Sequence, residues 1–290
     1  YDICLAVGYE KLKDEGVGGL PGMENRTNTH YQSSMPGVFA MMATRYFHRY
    51  GLTPDEGKKM LSKISVKSHH NGKLNPKAHL QRELTLEQVL AAPIIAWPLG
   101  LFDCCGVSDG AAAAIMVRAE DAKKYRKDPV FIKSMQISAS PASGRMLTDF
   151  DYTHVEEAYR AGVAAYKEAG IKDPRKEIGS AEVHDCFTIT ELIIYESLGF
   201  CPRGTAPAEV EKGSFELAGD LPVNTDGGLK SFGHPVGASG LRMVYELYNQ
   251  QLGRAGKRQL KNPKIGLAHS QGGTPGMFQA AITLIGPGAN

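Results

Sequence analysis

The 290 residues are 42% apolar, 22% charged and 8% aromatic, the make-up of a soluble globular chain large enough for one big domain or two ordinary ones, which excludes disorder, collagen and coiled coil for the whole. Lys and Arg number 33 against 31 Asp and Glu, a net charge of +2, and no run of like charges marks a nucleic-acid partner or a membrane surface. The five cysteines are odd in number, with Cys104 and Cys105 adjacent, a poor disulfide framework that points to a reducing, cytoplasmic setting.

Ile3 to Val7 is a short apolar run between Asp2 and Gly8, the pattern of a strand buried on both faces of a parallel sheet. A parallel neighbour needs a crossover connection, and here the strand opens the chain. The expectation is therefore that the sequence is the C-terminal part of a longer polypeptide. Residues 12–92 read as an inserted loop domain, with an irregular glycine-rich turn at 18–22, helices from Met35 to Tyr50 and Thr53 to Ser65, and a short helix from Thr85 to Ala92. Asp109 to Val117 is small and apolar, either a helix start or a buried strand. Regular alternation then predicts strands at 130–138, 178–186, 264–269 and 277–284. Helices are predicted at 152–169, 188–198 and 237–252, so that β and α elements alternate in an α/β layered fold with a mixed sheet.

Three polar clusters lie where a strand gives way to a loop or helix, the place where α/β folds bind ligands. In His184-Asp185-Cys186-Phe187, a cysteine at the positive end of a helix and beside a histidine has two features that lower a thiol pKa and suit acid/base work. A buried structural thiol is the other reading. Asn224 to Gly240 holds His234 between Gly233 and Pro235, which suits a rigid imidazole for proton transfer or oxyanion binding. The loop matches neither a P-loop nor a dinucleotide fingerprint, and a phosphate cradle or a plain turn are its other readings. His269 to Gly276 contributes Gly272 and Gly273, whose backbone N–H groups suit an oxyanion hole or belong to a hairpin turn.

These clusters, together with Glu191-Leu192, Tyr195-Glu196, Leu198-Gly199, Cys201-Pro202, Gly237-Ala238 and Gly240, and upstream Leu5 to Lys11 and Cys104-Cys105 before Ser108 to Ala114, resemble the thiolase superfamily. The resemblance runs in order over nearly the whole chain and is strongest to the sterol-carrier-protein-type branch. It implies a thiolase fold, layered αβαβα with mixed five-stranded sheets and an incomplete N-terminal half. Residues 1–122 would be the remainder of that half and 123–290 the C-terminal half. It also implies cleavage of a 3-ketoacyl-CoA by CoA, or the reverse Claisen condensation, through an acyl-cysteine.

By the same resemblance Cys186 takes the place of the acid/base and His234 that of the imidazole activating the nucleophile and lining an oxyanion hole. His184 shapes that hole, and Gly272 and Gly273 face the second oxyanion. Lys67, His69, Gly237 and Ser239 are the expected CoA contacts, with His70, Lys73 and Lys77 close enough in sequence to join them at the phosphates. A solvated charged face is the other reading of these charges. A zinc site from His69, His70, Cys104 and Cys105 is a further one, without a familiar spacing. No bound cofactor or metal is implied; acyl-CoA and CoA are substrates, and the implied assembly is a homo-oligomer, dimer or tetramer, with a small partner subunit in some relatives.

Two departures stand out. The family's nucleophilic cysteine lies one helix upstream of the strand at residue 3, and none of the five cysteines here replaces it. Ser270 stands where the branch has Asn, and Thr274-Pro275 enlarges the loop. Two alternatives stay open: a retro-aldolase acting on acyl-CoA with a partner protein, in which the Cys and His motifs tend to be replaced, and a non-catalytic acyl-CoA-binding subunit.

Overall fold

The computed structural model describes residues 1–14, 34–141 and 150–288, and the turn expected at 18–22 lies outside them. Strand β1 (Ile3–Lys11) precedes helices α1 (Met35–Tyr50), α2 (Pro54–Lys73) and α3 (Leu86–Leu90), a hairpin of β2 (Ile94–Ala96) and β3 (Leu99–Gly100), and strand β4 (Asp109–Val117). There follow α4 (Ala122–Tyr125), β5 (Phe131–Ala139), α5 (Glu156–Ala169), α6 (Pro174–Glu177), β6 (Ile178–Val183), α7 (Thr188–Ser197) and α8 (Ala206–Glu211). The chain closes with α9 (Gly228–Ser231), α10 (Val236–Gln251), β7 (Ile265–Gly272) and β8 (Gln279–Gly286). Among the described residues no helix is long and apolar enough to cross a membrane.

Local chemistry sets most boundaries. Thr53 and Thr85 form capping boxes with Glu56 and Gln88, each satisfying two otherwise unpaired donors at a helix start. Helix α2 continues to Lys73, well past the expected end at Ser65. Its polar second half, with Ser65, Lys67, Ser68, His69 and Asn71, is buried against the second half of the chain, so tertiary packing overrides a sequence that reads as solvated.

The larger sheet has the order β5-β8-β7-β6, antiparallel except for the parallel β6/β7 pair, and is therefore mixed. Helix α5 covers one face and α10 the other; α10 also carries the β1-β4 ribbon on its far side. The described layers thus run αβαβ, one short of the expected αβαβα. Among the described residues the sheet has four strands rather than the expected five, Val223 adding only an isolated parallel bridge to Ala181 beside β6. The apolar core fills the space between the inner sheet face (Leu267, Ile282, Leu284) and helices α1, α5 and α7, the last buried all round.

Strand β1 departs from the expectation of burial on both faces. It pairs antiparallel with β4, from Ile3 opposite Val117 to Lys11 opposite Asp109. Its α10 side is part-buried, while Ile3, Leu5, Val7 and Tyr9 are exposed on the other, together with Ile115 of β4. The sequence is apolar at both parities, and no described element covers the outer face. On the inner face β1 and α10 touch backbone to backbone: a Cβ on Gly8 would lie 1.9 Å from Gly237 O, and one on Gly237 2.5 Å from Tyr9 O.

Candidate active site

The site begins where β6 ends. Asn224, held at a φ of 55°, accepts from Val183 N–H at 2.8 Å and donates its own N–H to Ala181 O at 2.8 Å, so it fixes the strand end just before His184. Asp185 turns away from the cleft, accepting from Leu229 N–H at 2.6 Å and pairing with buried Lys230 at 3.1 Å. Cys186 then lies ahead of α7, whose N-cap is Phe187. The segment before β4 threads across these residues: Cys105 N–H donates to Cys186 O at 2.9 Å, Cys104 bridges Phe187 and Val107 bridges His234. Sequence distance thus hides a close approach of Cys105 to Cys186.

His234 is oriented from behind. Its Nδ1 lies 2.7 Å from Ser239 Oγ, and the Ser239 hydroxyl donates to Pro235 O at 3.0 Å. With that hydrogen committed, Ser239 accepts and His234 Nδ1–H donates, which leaves Nε2 with a free lone pair. The His184 ring stands edge-on to His234, with centroids 5.1 Å apart at 84°. Burial and the charge of Arg242 pull His234 down to about 4, and burial with the neighbouring His234 and His269 pulls His184 well below the usual range. Both imidazoles are neutral at pH 7.

The Cys186 thiol differs from its sequence reading. Burial pushes it up to about 12, opposing the helix terminus, and Thr190 Oγ1 at 3.7 Å and Lys230 only partly offset this. Desolvation wins, so Cys186 stays protonated at neutral pH.

Cys186, His184 and His234 share one cleft that opens to solvent. Met35, Phe39, Phe187 and Val236 give it apolar walls, while Ser239, Gly272 and Gly273 complete the polar end. Gly273 has a φ of 92°, and a Cβ there would meet Met277 O at 2.3 Å, so the loop beside the histidines requires glycine.

The expected CoA contacts are redistributed. Lys67 is 8% exposed, salt-bridged to Glu191 and donating to Tyr195 Oη and Val223 O, both at 3.0 Å. His69 is buried with Nδ1 3.2 Å from Arg82 O, while His70 and Lys73 both pair with exposed Glu83. Ser239 positions His234, and Gly237 packs on β1. Among the described residues no group of three His, Cys, Asp or Glu is placed to hold a metal ion. Sequence reasoning gave no role to Cys105, Thr190, Arg242 or Gln271, and took Asn224 only as the start of its cluster. Of these Thr190 was findable, one helical turn beyond Cys186, and Gln271 was findable by strand alternation from His269.

With this geometry in place, comparison with known proteins is informative. Residues 139–285 match the thiolase C-terminal domain-like family. The chain is 37% identical over 282 residues to acetyl-CoA acetyltransferase of Methanothermobacter thermautotrophicus, covering 95% of this chain and 71% of that one. It is 32% identical to sterol carrier protein 2 of Oryctolagus cuniculus, covering 93% of this chain and about half (51%) of the relative. Among solved structures, the Ltp2-ChsH2(DUF35) aldolase superposes with a TM-score of 0.81 at 26% identity, over 99% of this chain and 72% of that one. A family match over half the chain and a relative above 30% identity that is mostly covered agree with the fold: the chain belongs to the thiolase family of acyltransferases.

Proposed function

We propose that the cleft performs thiolase-type acyl transfer, cleaving a 3-oxoacyl-CoA with CoA or running the reverse Claisen condensation through an acyl-cysteine. The observation that carries this reading is a thiol held protonated beside two neutral imidazoles in one cleft. Cys186, with its thiol at about 12, is a poor nucleophile at neutral pH but an acid able to protonate the enolate released on cleavage. The thiolate so formed is a strong base toward the incoming CoA thiol. His234 enters with Nε2 unprotonated, takes the proton of the attacking thiol, and then donates Nε2–H to the oxyanion. His184 and the Gly272 and Gly273 backbone serve as the further oxyanion donors. The acyltransferase works in this reading as a homo-oligomer without a bound cofactor.

Retro-aldol cleavage of an acyl-CoA is a second reading, favoured by the likeness to the aldolase, while the presence of both Cys186 and His234 supports the first. In the full-length protein, Cys186→Ala is expected to lower kcat for thiolysis of acetoacetyl-CoA by about 10³-fold, with an acyl-enzyme accumulating that mass spectrometry detects. Steady turnover in that variant, or acylation found on Cys186 itself, overturns the assignment. Carbonyl release from a 3-hydroxyacyl-CoA without thiolysis selects the aldolase reading.

A further inference from the structure

The strand that ends in the glycine loop carries a group that the proton chemistry leaves unused. Gln271 lies on β7 opposite Ala280, two residues beyond His269 and on the same sheet face, directly before Gly272. It is 6% exposed and lines the cleft, yet its carboxamide has no hydrogen-bond partner among the described residues, Oε1 being buried and unpaired. A primary amide holds two donors and an acceptor, and buried amides in folded proteins are nearly always bonded. None of the described residues lining the cleft bonds to it. Met35, Phe39 and Phe187 are apolar, and Phe39 stacks on Phe187 at 4.6 Å and lies 6.0 Å from Phe278. An aliphatic residue at 271 would leave no unmet amide in the cleft, so the side chain there has a cost that a bound ligand relieves.

We infer that Gln271 reads a hydroxyl group on the acyl portion of the substrate, an inference that rests on the acyl-CoA reading above. An amide and a hydroxyl each donate and accept, so the two satisfy one another, whereas a plain alkyl chain leaves the amide unpaired. Because Gln271 adjoins Gly272 of the oxyanion loop, the hydroxyl lies near the reacting carbonyl, on carbon 2 or 3 of the acyl group that is transferred to the cysteine, counted from that group's own carbonyl. The remaining hydrocarbon runs along Met35, Phe39 and Phe187.

Calorimetric titration of the full-length protein with hexanoyl-CoA, 2-hydroxyhexanoyl-CoA and 3-hydroxyhexanoyl-CoA tests this. At least one hydroxylated ester is expected to bind about tenfold more tightly than hexanoyl-CoA. In Gln271→Leu that preference disappears and hexanoyl-CoA binds at least as well as before. Gln271→Met, closer in shape, replaces the Leu variant if the latter fails to fold, and the wild-type comparison decides by itself. Equal wild-type affinities for the three esters, or a preference that survives the substitution, overturn the inference while leaving the acyl-CoA reading standing. Absence of binding by all three esters takes both down.

Discussion

Two buried polar regions of this chain resemble each other in composition and differ in how their groups are used. Below α2, the network of Lys67, Glu191, Lys230 and Asp185 is paired charge to charge: all three Lys67 donors have acceptors, and Lys230 lies between Asp185 at 3.1 Å and Glu191 at 3.5 Å, Asp185 Oδ2 being held by this ion pair alone. Arg242, whose Nη1 alone pairs with Asp226 and Glu182, and Arg258, 2.8 Å from Glu246, extend the charge pairing under α10. In the cleft, by contrast, His184 Nδ1 and Gln271 Oε1 are buried without partners, and His234 keeps Nε2 free. A buried polar group whose bonding capacity is used up holds the fold together; one with capacity to spare beside a cavity is available to a ligand.

Substitutions on either side of that divide should act on different observables. His234→Asn is expected to slow acylation by about 10²- to 10⁴-fold with the thermal midpoint little changed, as read by single-turnover mass spectrometry and a melting scan. An unchanged acylation rate would remove His234 from the chemistry. Lys67→Met should do the reverse, lowering unfolding free energy by about 3 to 5 kcal/mol because Glu191 loses a buried partner, with KM for CoA unaltered. A raised KM at intact stability would return Lys67 to the CoA site and erase the contrast.

The smallest effect per step is shared by both regions. Burial holds His69 and His234 at about 4 and His269 at about 3, each below its unfolded value near 6.5. The unfolded chain therefore binds protons at these sites from about pH 6.5 downward while the folded protein does not. Their stabilising contribution is complete above pH 6.5 and declines as pH falls toward 4, by about 1.4 kcal/mol per unit for each histidine. Urea midpoints measured between pH 7 and 4.5 check this, and a flat profile would show the rings to be solvated.

How much was legible depended on the range of the interactions. The alternation that predicts β5, β6, β7 and β8 and the helices between them is local, and the structure places those elements within a few residues of expectation. The pairing of His184 and Cys186 with His234 came from the resemblance to the thiolase superfamily, which the clusters at strand ends carry. The direction of the Cys186 shift was not legible, because the burial that raises it is tertiary, in a cleft to which α1 and the segment before β4 also contribute. Nor was the role of Lys67: a run of Lys, Ser, His and Asn is written the same way whether it faces solvent or is pressed against a second layer. The difference lies in Glu191, Tyr195 and Val223, more than a hundred residues away.

The contact of Gly8 with Gly237 carries one more consequence. Neither backbone leaves room for a methyl group, so ribbon and helix meet with no clearance and cannot slide past one another. Two residues along the same helix, Ser239 fixes which nitrogen of His234 holds the proton. The ribbon, which contributes no side chain to the cleft, thereby acts as the gauge block of the site: its position sets the seating of the first turn of α10, and through it the reach of the imidazole.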